Sequence, residues 1–131
     1  MCKKVLVVDD EIHIVHVVAI KLRNNGFNVI TAENGAEAYE LIQEEKPDIV
    51  VTDYQMPGMT GLDLIEKLRQ DEQTKQLPVI ILTARNFVIE DEVKNRLNIA
   101  ECIGKPFSPK DLLCRIEDIL NEHAVANQNS I

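Results

Sequence analysis

Four short runs rich in valine and isoleucine, Lys4–Val8, Asn28–Thr31, Ile49–Thr52 and Val79–Leu82, each stand ahead of a longer segment with helical periodicity. Runs this short and this apolar fit strands covered on both faces, and hence a parallel sheet with helices on either side. A fifth, weaker run lies near Glu101–Ile103, and helices are predicted at Ile12–Asn25, Gly35–Glu45, Leu62–Gln70, Ile89–Leu97 and Pro109–Glu122. The expected fold is α/β, a strand–helix unit repeated five times in a doubly wound parallel sheet of order 2-1-3-4-5. Local chemistry supports the boundaries: Gly26 is suited to end the first helix in a left-handed conformation, Asn34 to cap the second, and Ser108-Pro109 to start the last. From Asn121 onward periodicity fades. Residues 1–122 are therefore expected to form the domain and 123–131 a flexible tail, with no linker toward an output domain.

A chain of 131 residues with 45% hydrophobic content supports one well-buried core and is too short for two ordinary domains. Its net charge of −8 argues against attraction to nucleic acid or an anionic membrane, so its partners are expected to be proteins. The apolar run Val5–Val8 stops at Asp9-Asp10, far short of a signal-peptide core or a membrane span, and a cytoplasmic location is expected. Cys2, Cys102 and Cys114 are an odd number without CxxC spacing, which suggests neither a disulfide framework nor a zinc site.

Open parallel sheets bind ligands outside the carboxyl ends of their strands, where the winding reverses. Here the first strand delivers Asp9 and Asp10, the third Asp53, the fourth Thr83 and the fifth Lys105. If the first and third strands are neighbours, their carboxylates converge and raise one another's pKa unless a cation neutralises them. A hard cation answers that need. Magnesium takes oxygen ligands and keeps positions open for a phosphoryl oxygen, with manganese as a substitute; the twelve-residue loop of a calcium site is absent from the sequence. Lys105 adds a second positive charge and Thr83 a hydroxyl donor. Asp53 is then the candidate nucleophile, a carboxylate that would carry an aspartyl phosphate.

These residues lie where the sequence resembles the receiver domain of bacterial two-component response regulators, especially members similar to the single-domain chemotaxis regulator. The resemblance rests on Val5-Leu6-Val7-Val8-Asp9-Asp10-Glu11, Pro47-Asp48-Ile49-Val50-Val51-Thr52-Asp53, Met56-Pro57-Gly58-Met59-Thr60-Gly61, Leu82-Thr83-Ala84 and Lys105-Pro106-Phe107. It implies a flavodoxin-like fold and a phosphorelay function. Asp53 would be the phosphoacceptor, magnesium would be held by Asp10, Asp53 and the Gln55 carbonyl with Asp9 acting through water, and Thr83, Lys105 and the Ala84 backbone would bind phosphoryl oxygens. It further implies a cis Lys105-Pro106 peptide, and a histidine kinase or histidine phosphotransfer domain as phosphodonor, with a downstream protein that the sequence does not identify. The chain would signal through protein contacts or serve as a phosphate sink.

One departure stands out. The family's switch aromatic, three positions before the lysine, is Cys102 here, and the usual Gly-Ala-Asp is replaced by Asn98-Ile99-Ala100, so weak or differently propagated switching is expected. Gln55 and Arg85 occupy positions that tune acyl-phosphate hydrolysis in the family. On the first helix, Val15, Val18, Ala19 and Leu22 form a core face, leaving Ile14, Val17 and Ile20 as an expected exposed strip for kinase docking. Phe87-Val88-Ile89 form a second apolar cluster, and His13 and His16 read as surface residues. A haloacid-dehalogenase-like phosphatase would need a second Asp two residues after Asp53, where Gln55 stands. A purely binding, phosphorylation-independent receiver is the other alternative, and neither GxGxxG nor a P-loop follows the first strand.

Overall fold

The structure, a computed structural model, describes residues 3–56, 58–84 and 89–129. Five strands alternate with five helices: β1 (Lys4–Val8), α1 (Ile12–Arg23), β2 (Asn28–Ala32), α2 (Gly35–Glu45), β3 (Ile49–Asp53), α3 (Gly61–Arg69), β4 (Val79–Thr83), α4 (Asp91–Leu97), β5 (Glu101–Gly104) and α5 (Pro109–Asn129). The strands pair in parallel in the order β2-β1-β3-β4-β5, as expected.

The period-two alternation of side chains explains why these runs are apolar throughout. Val5, Val7, Val51, Ile80 and Leu82 project to one face of the sheet, against Val18, Ala19 and Leu22 of α1 and Leu112, Ile116 and Ile119 of α5. Leu6, Val8, Val50, Val79 and Ile81 project to the other, against Ala38 and Ile42 of α2, Leu64, Ile65 and Leu68 of α3 and Leu97 of α4. Every residue of β3 and β4 is buried. The register sets Val8 beside Thr52 and Asp53 beside Leu82, which brings the exits of β1, β3 and β4 to one edge of the molecule.

The expected caps form. Gly26 takes φ +90° two residues beyond the α1 C-cap at Asn24, and the Glu37 amide donates to the Asn34 side chain at 2.8 Å. The cis Lys105-Pro106 peptide is present. Five helix ends differ from expectation: α1 stops at Arg23 rather than Asn25 and α3 at Arg69 rather than Gln70, and three others differ for identifiable reasons. α3 begins at Gly61 rather than Leu62 because Thr60 and Asp63 form a reciprocal capping box. α4 begins at Asp91 rather than Ile89, whose side chain is buried in the core; Phe87 and Val88 lie outside the described residues. α5 runs past Glu122 to Asn129. Glu122, Ala124, Ala126 and Gln128 have good helix propensity and carry the helix on where apolar periodicity stops. Among the described residues, no helix is long and apolar enough to cross a membrane.

Candidate functional site

The tips of β1 and β3 bring Asp9, Asp10 and Asp53 together, with one carboxylate oxygen from each lying within 4.8 Å of the others. Asp9 and Asp53 are buried and Asp10 is exposed. Lys105, just past β5, reaches across them: its Nζ lies 3.0 Å from Asp9 Oδ2 and 3.3 Å from Asp53 Oδ2. The acids and the lysine gathered by sequence reasoning therefore share one crevice.

Electrostatics in the crevice are unbalanced. Burial, followed by the charge of Asp9, pushes the Asp53 carboxyl above its ordinary pKa, although Lys105 and a hydrogen bond from the Gln55 backbone amide pull the other way. Burial alone would lower the Lys105 pKa; its hydrogen bond and charge attraction to Asp9, with help from Glu11 and Asp53, raise it overall. Among the described residues, one lysine facing three clustered carboxylates leaves net negative charge, and that donor set fits a hard divalent cation.

The sign of the Asp53 shift has a stability consequence. A carboxyl whose folded pKa is raised contributes stability that is fully present below its unfolded value, near 3.8, and is lost as pH rises through the folded pKa. Above that folded pKa the ionised Asp53 therefore opposes folding. We expect Asp53→Asn to raise Tm by a few degrees at pH 7 without divalent ions, and the difference from wild type to shrink as the pH is lowered below the folded pKa, as thermal denaturation would measure.

Thr83 ends β4 beside Gly104, is buried, and donates a long 3.5 Å hydrogen bond to the Ile103 carbonyl. Ala84 follows at the exposed rim, and Gln55 is exposed on the loop after β3. Cys102 is not in the crevice. It pairs with Ile81 and packs, half-buried, on the α2–α4 side of the sheet, where burial raises its thiol pKa. Arg85 lies outside the described residues.

On α1, Val17 and Ile20 are exposed at 52% and 55%, as expected, and Ile12 joins them at 58%. Ile14 does not. It is half-buried against the α1–α5 core, because it lies in a groove of about 300 Å³ lined also by Val17, Pro106, Phe107 and Pro109.

Two contacts were not anticipated. Glu11 Oε1 lies 3.1 Å from Lys105 Nζ, and a β-carbon added to Gly61 would stand 2.7 Å from the Asp53 carbonyl oxygen. Both residues stand in the motif segments, but strand-exit reasoning passes over Glu11, which starts a helix, and no spacing rule reveals that α3 abuts the backbone of Asp53.

A doubly wound parallel sheet that gathers three carboxylates and a lysine at its winding reversal defines a receiver-type signalling domain. A family model described as the response regulator receiver domain matches residues 5–117, and the chain belongs to that family. The phosphate regulon transcriptional regulatory protein PhoB of Pseudomonas aeruginosa is 37% identical over 120 residues, covering 90% of this chain and 52% of PhoB. The alkaline phosphatase synthesis transcriptional regulatory protein PhoP of Bacillus subtilis is 36% identical over 130 residues, covering 99% and 53% respectively. The chain thus spans about half the length of these curated relatives. Among solved structures, the chemotaxis response regulator CheY4 of Vibrio cholerae matches with a TM-score of 0.83 at 31% identity, over 91% of this chain and 99% of that one. The chain carries a receiver domain of the two-component response regulators.

Proposed function

We propose that Asp53 accepts a phosphoryl group from a phosphohistidine on a sensor kinase or histidine phosphotransfer domain, in a reaction that depends on a divalent cation. The observation that carries this is the buried Asp53 carboxylate at the β3 tip, clustered with Asp9 and Asp10 and 3.3 Å from the Lys105 ammonium, in a chain of the receiver family. An Asp53 carboxylate oxygen forms a bond to phosphorus while the phosphorus–nitrogen bond of the donor breaks, and the imidazole nitrogen keeps that electron pair. Asp10, Asp53 and the Gln55 carbonyl would hold magnesium or manganese, with Asp9 acting through water. The ion supplies charge neutralisation at the phosphoryl oxygens.

The chain's own groups do the rest. Lys105 offers ammonium donors to one phosphoryl oxygen, and Thr83 and the Ala84 backbone amide offer theirs to others. The exposed apolar strip of Ile12, Val17 and Ile20, with the groove beside Pro106 and Phe107, is the docking face for the phosphodonor protein, close to the crevice because Lys105 and His13 also line the groove. The output is a protein contact, or storage of phosphoryl groups when no reader is engaged.

The test is intact mass after incubation with acetyl phosphate and magnesium. The expected result is one phosphoryl adduct on wild type, absent without magnesium and absent in Asp53→Asn. An unmodified wild type under all conditions would replace this reading with a phosphorylation-independent binding module.

A further inference from the structure

Lys105 has a third partner that the phosphotransfer scheme does not use. Its Nζ donates to Asp9 Oδ2 at 3.0 Å and to Glu11 Oε1 at 3.1 Å, and it lies 3.3 Å from Asp53 Oδ2. An ammonium has three donors and no acceptor, so the hydrogen bonds to Asp9 and Glu11 leave one donor, and the Asp53 contact is an ion pair. A phosphoryl oxygen on Asp53 can take more than that one donor, or draw the ammonium toward itself, only when one of the two hydrogen bonds is given up.

The partners differ in how easily they leave. The Asp9 side chain is 0% exposed, and its other oxygen accepts the Glu11 backbone N–H at 2.9 Å. It is fixed from both ends. The Glu11 side chain is 59% exposed, and its carboxylate can swing into water at little cost. Glu11 is also the N-cap residue of α1, yet its side chain makes no cap hydrogen bond. It reaches instead over the crevice to a lysine 94 residues away in sequence.

We propose that Glu11 is a positioning residue that parks Lys105 in the unphosphorylated protein, competing with the phosphoryl group for its ammonium and so slowing phosphorylation of Asp53. This rests on the phosphoacceptor role of Asp53. When acetyl phosphate is the donor, the Asp53 oxygen–phosphorus bond forms, the acetyl oxygen–phosphorus bond breaks, and acetate leaves with the electron pair. Lys105 turns from Glu11 to the incoming phosphoryl oxygen, and no proton is transferred.

Two variants separate contact from charge. Glu11→Ala removes both, while Glu11→Asp keeps the charge but is one methylene too short to hold the ammonium. At saturating magnesium, both should be phosphorylated by acetyl phosphate about two- to fivefold faster than wild type, the range expected for releasing a partly exposed ion pair. Independently of phosphorylation, acylation of Lys105 by an N-hydroxysuccinimide ester, read by peptide mass spectrometry against exposed Lys110, should be faster in both. Acceleration in Glu11→Ala alone would overturn the proposal in favour of a simple field effect, as would unchanged rates and unchanged Lys105 labelling in both variants. Failure of wild type to form any adduct would instead remove the phosphoacceptor role, and the competition with it, while the labelling would still report whether Glu11 holds the lysine.

Discussion

Arg69→Met should lower the unfolding free energy by about 2–4 kcal/mol, as urea denaturation would measure, although Arg69 lies outside the crevice. Its guanidinium donates from Nε to the Leu97 carbonyl at 2.7 Å, and from its two terminal nitrogens to Thr74 and Lys75 at 3.1 Å and to Asn98 at 3.2 Å. Leu97 and Asn98 end α4, where Asn98 turns left-handed at φ 52°, and residues 74 and 75 belong to the turn leading toward β4. The side chain thus reaches the carbonyls at a helix end, where intrahelical donors run out, and ties them to the turn, whose Thr74 carbonyl also accepts the Leu77 amide at 3.0 Å. The negative end of the α4 dipole favours a cation there. Burial lowers the Arg69 pKa, so desolvation sets aside part of the gain, and partial exposure screens it further; hence a range below the sum of four charged hydrogen bonds. Arg69→Lys should recover only a fraction, because an ammonium cannot reproduce the planar fork. Below the melting transition, phosphorylation of Arg69→Met by acetyl phosphate should stay near wild type, since the loosened region is α4 and the approach to β5.

Gly61→Ala should do the reverse, with a moderate stability cost and a large loss of chemistry. The new β-carbon would stand 2.7 Å from the Asp53 carbonyl oxygen and 3.3 Å from Tyr54 Cα, both backbone atoms that cannot rotate away. The Gly61 amide also donates to the Tyr54 carbonyl at 2.8 Å, so the first turn of α3 is docked on the chain that carries the phosphoacceptor. Relief requires that α3 or the β3 tip shift by some tenths of an ångström, at about 1–3 kcal/mol. A misplaced nucleophile costs more in rate, and we expect phosphorylation by acetyl phosphate to fall by about ten- to a hundredfold at saturating magnesium. Gly104→Ala is the control: an added β-carbon there meets nothing within 4 Å, and both stability and rate should hold.

These residues also mark where the sequence stopped being legible. The strands were readable because Val5–Val8 and Val79–Leu82 are buried on both faces and must be apolar along their whole length. The crevice followed from topology, since order 2-1-3-4-5 brings Asp9, Asp10 and Asp53 to one edge whatever the loops do. Arg69 and Gly61 act through backbone atoms of segments distant or displaced in sequence, and neither periodicity nor residue type announces such a partner. Ile14 misled for a related reason. Helical spacing set it opposite the core stripe, but Pro106 and Phe107 from the far end of the chain close over that side of α1. Past Glu122, apolar periodicity and helix propensity parted, and propensity prevailed.

The burial of the sheet falls away from centre to edge. β3 and β4 have no exposed residue, whereas the edge strand β2 buries only Val29 and Ala32 and the edge strand β5 buries no residue fully. Asp53 ends a strand that is buried along its whole length, so a dye attached beside it would have to displace core side chains. For a biosensor built on this domain, a fluorophore belongs on the β5 margin, where water already reaches the strand.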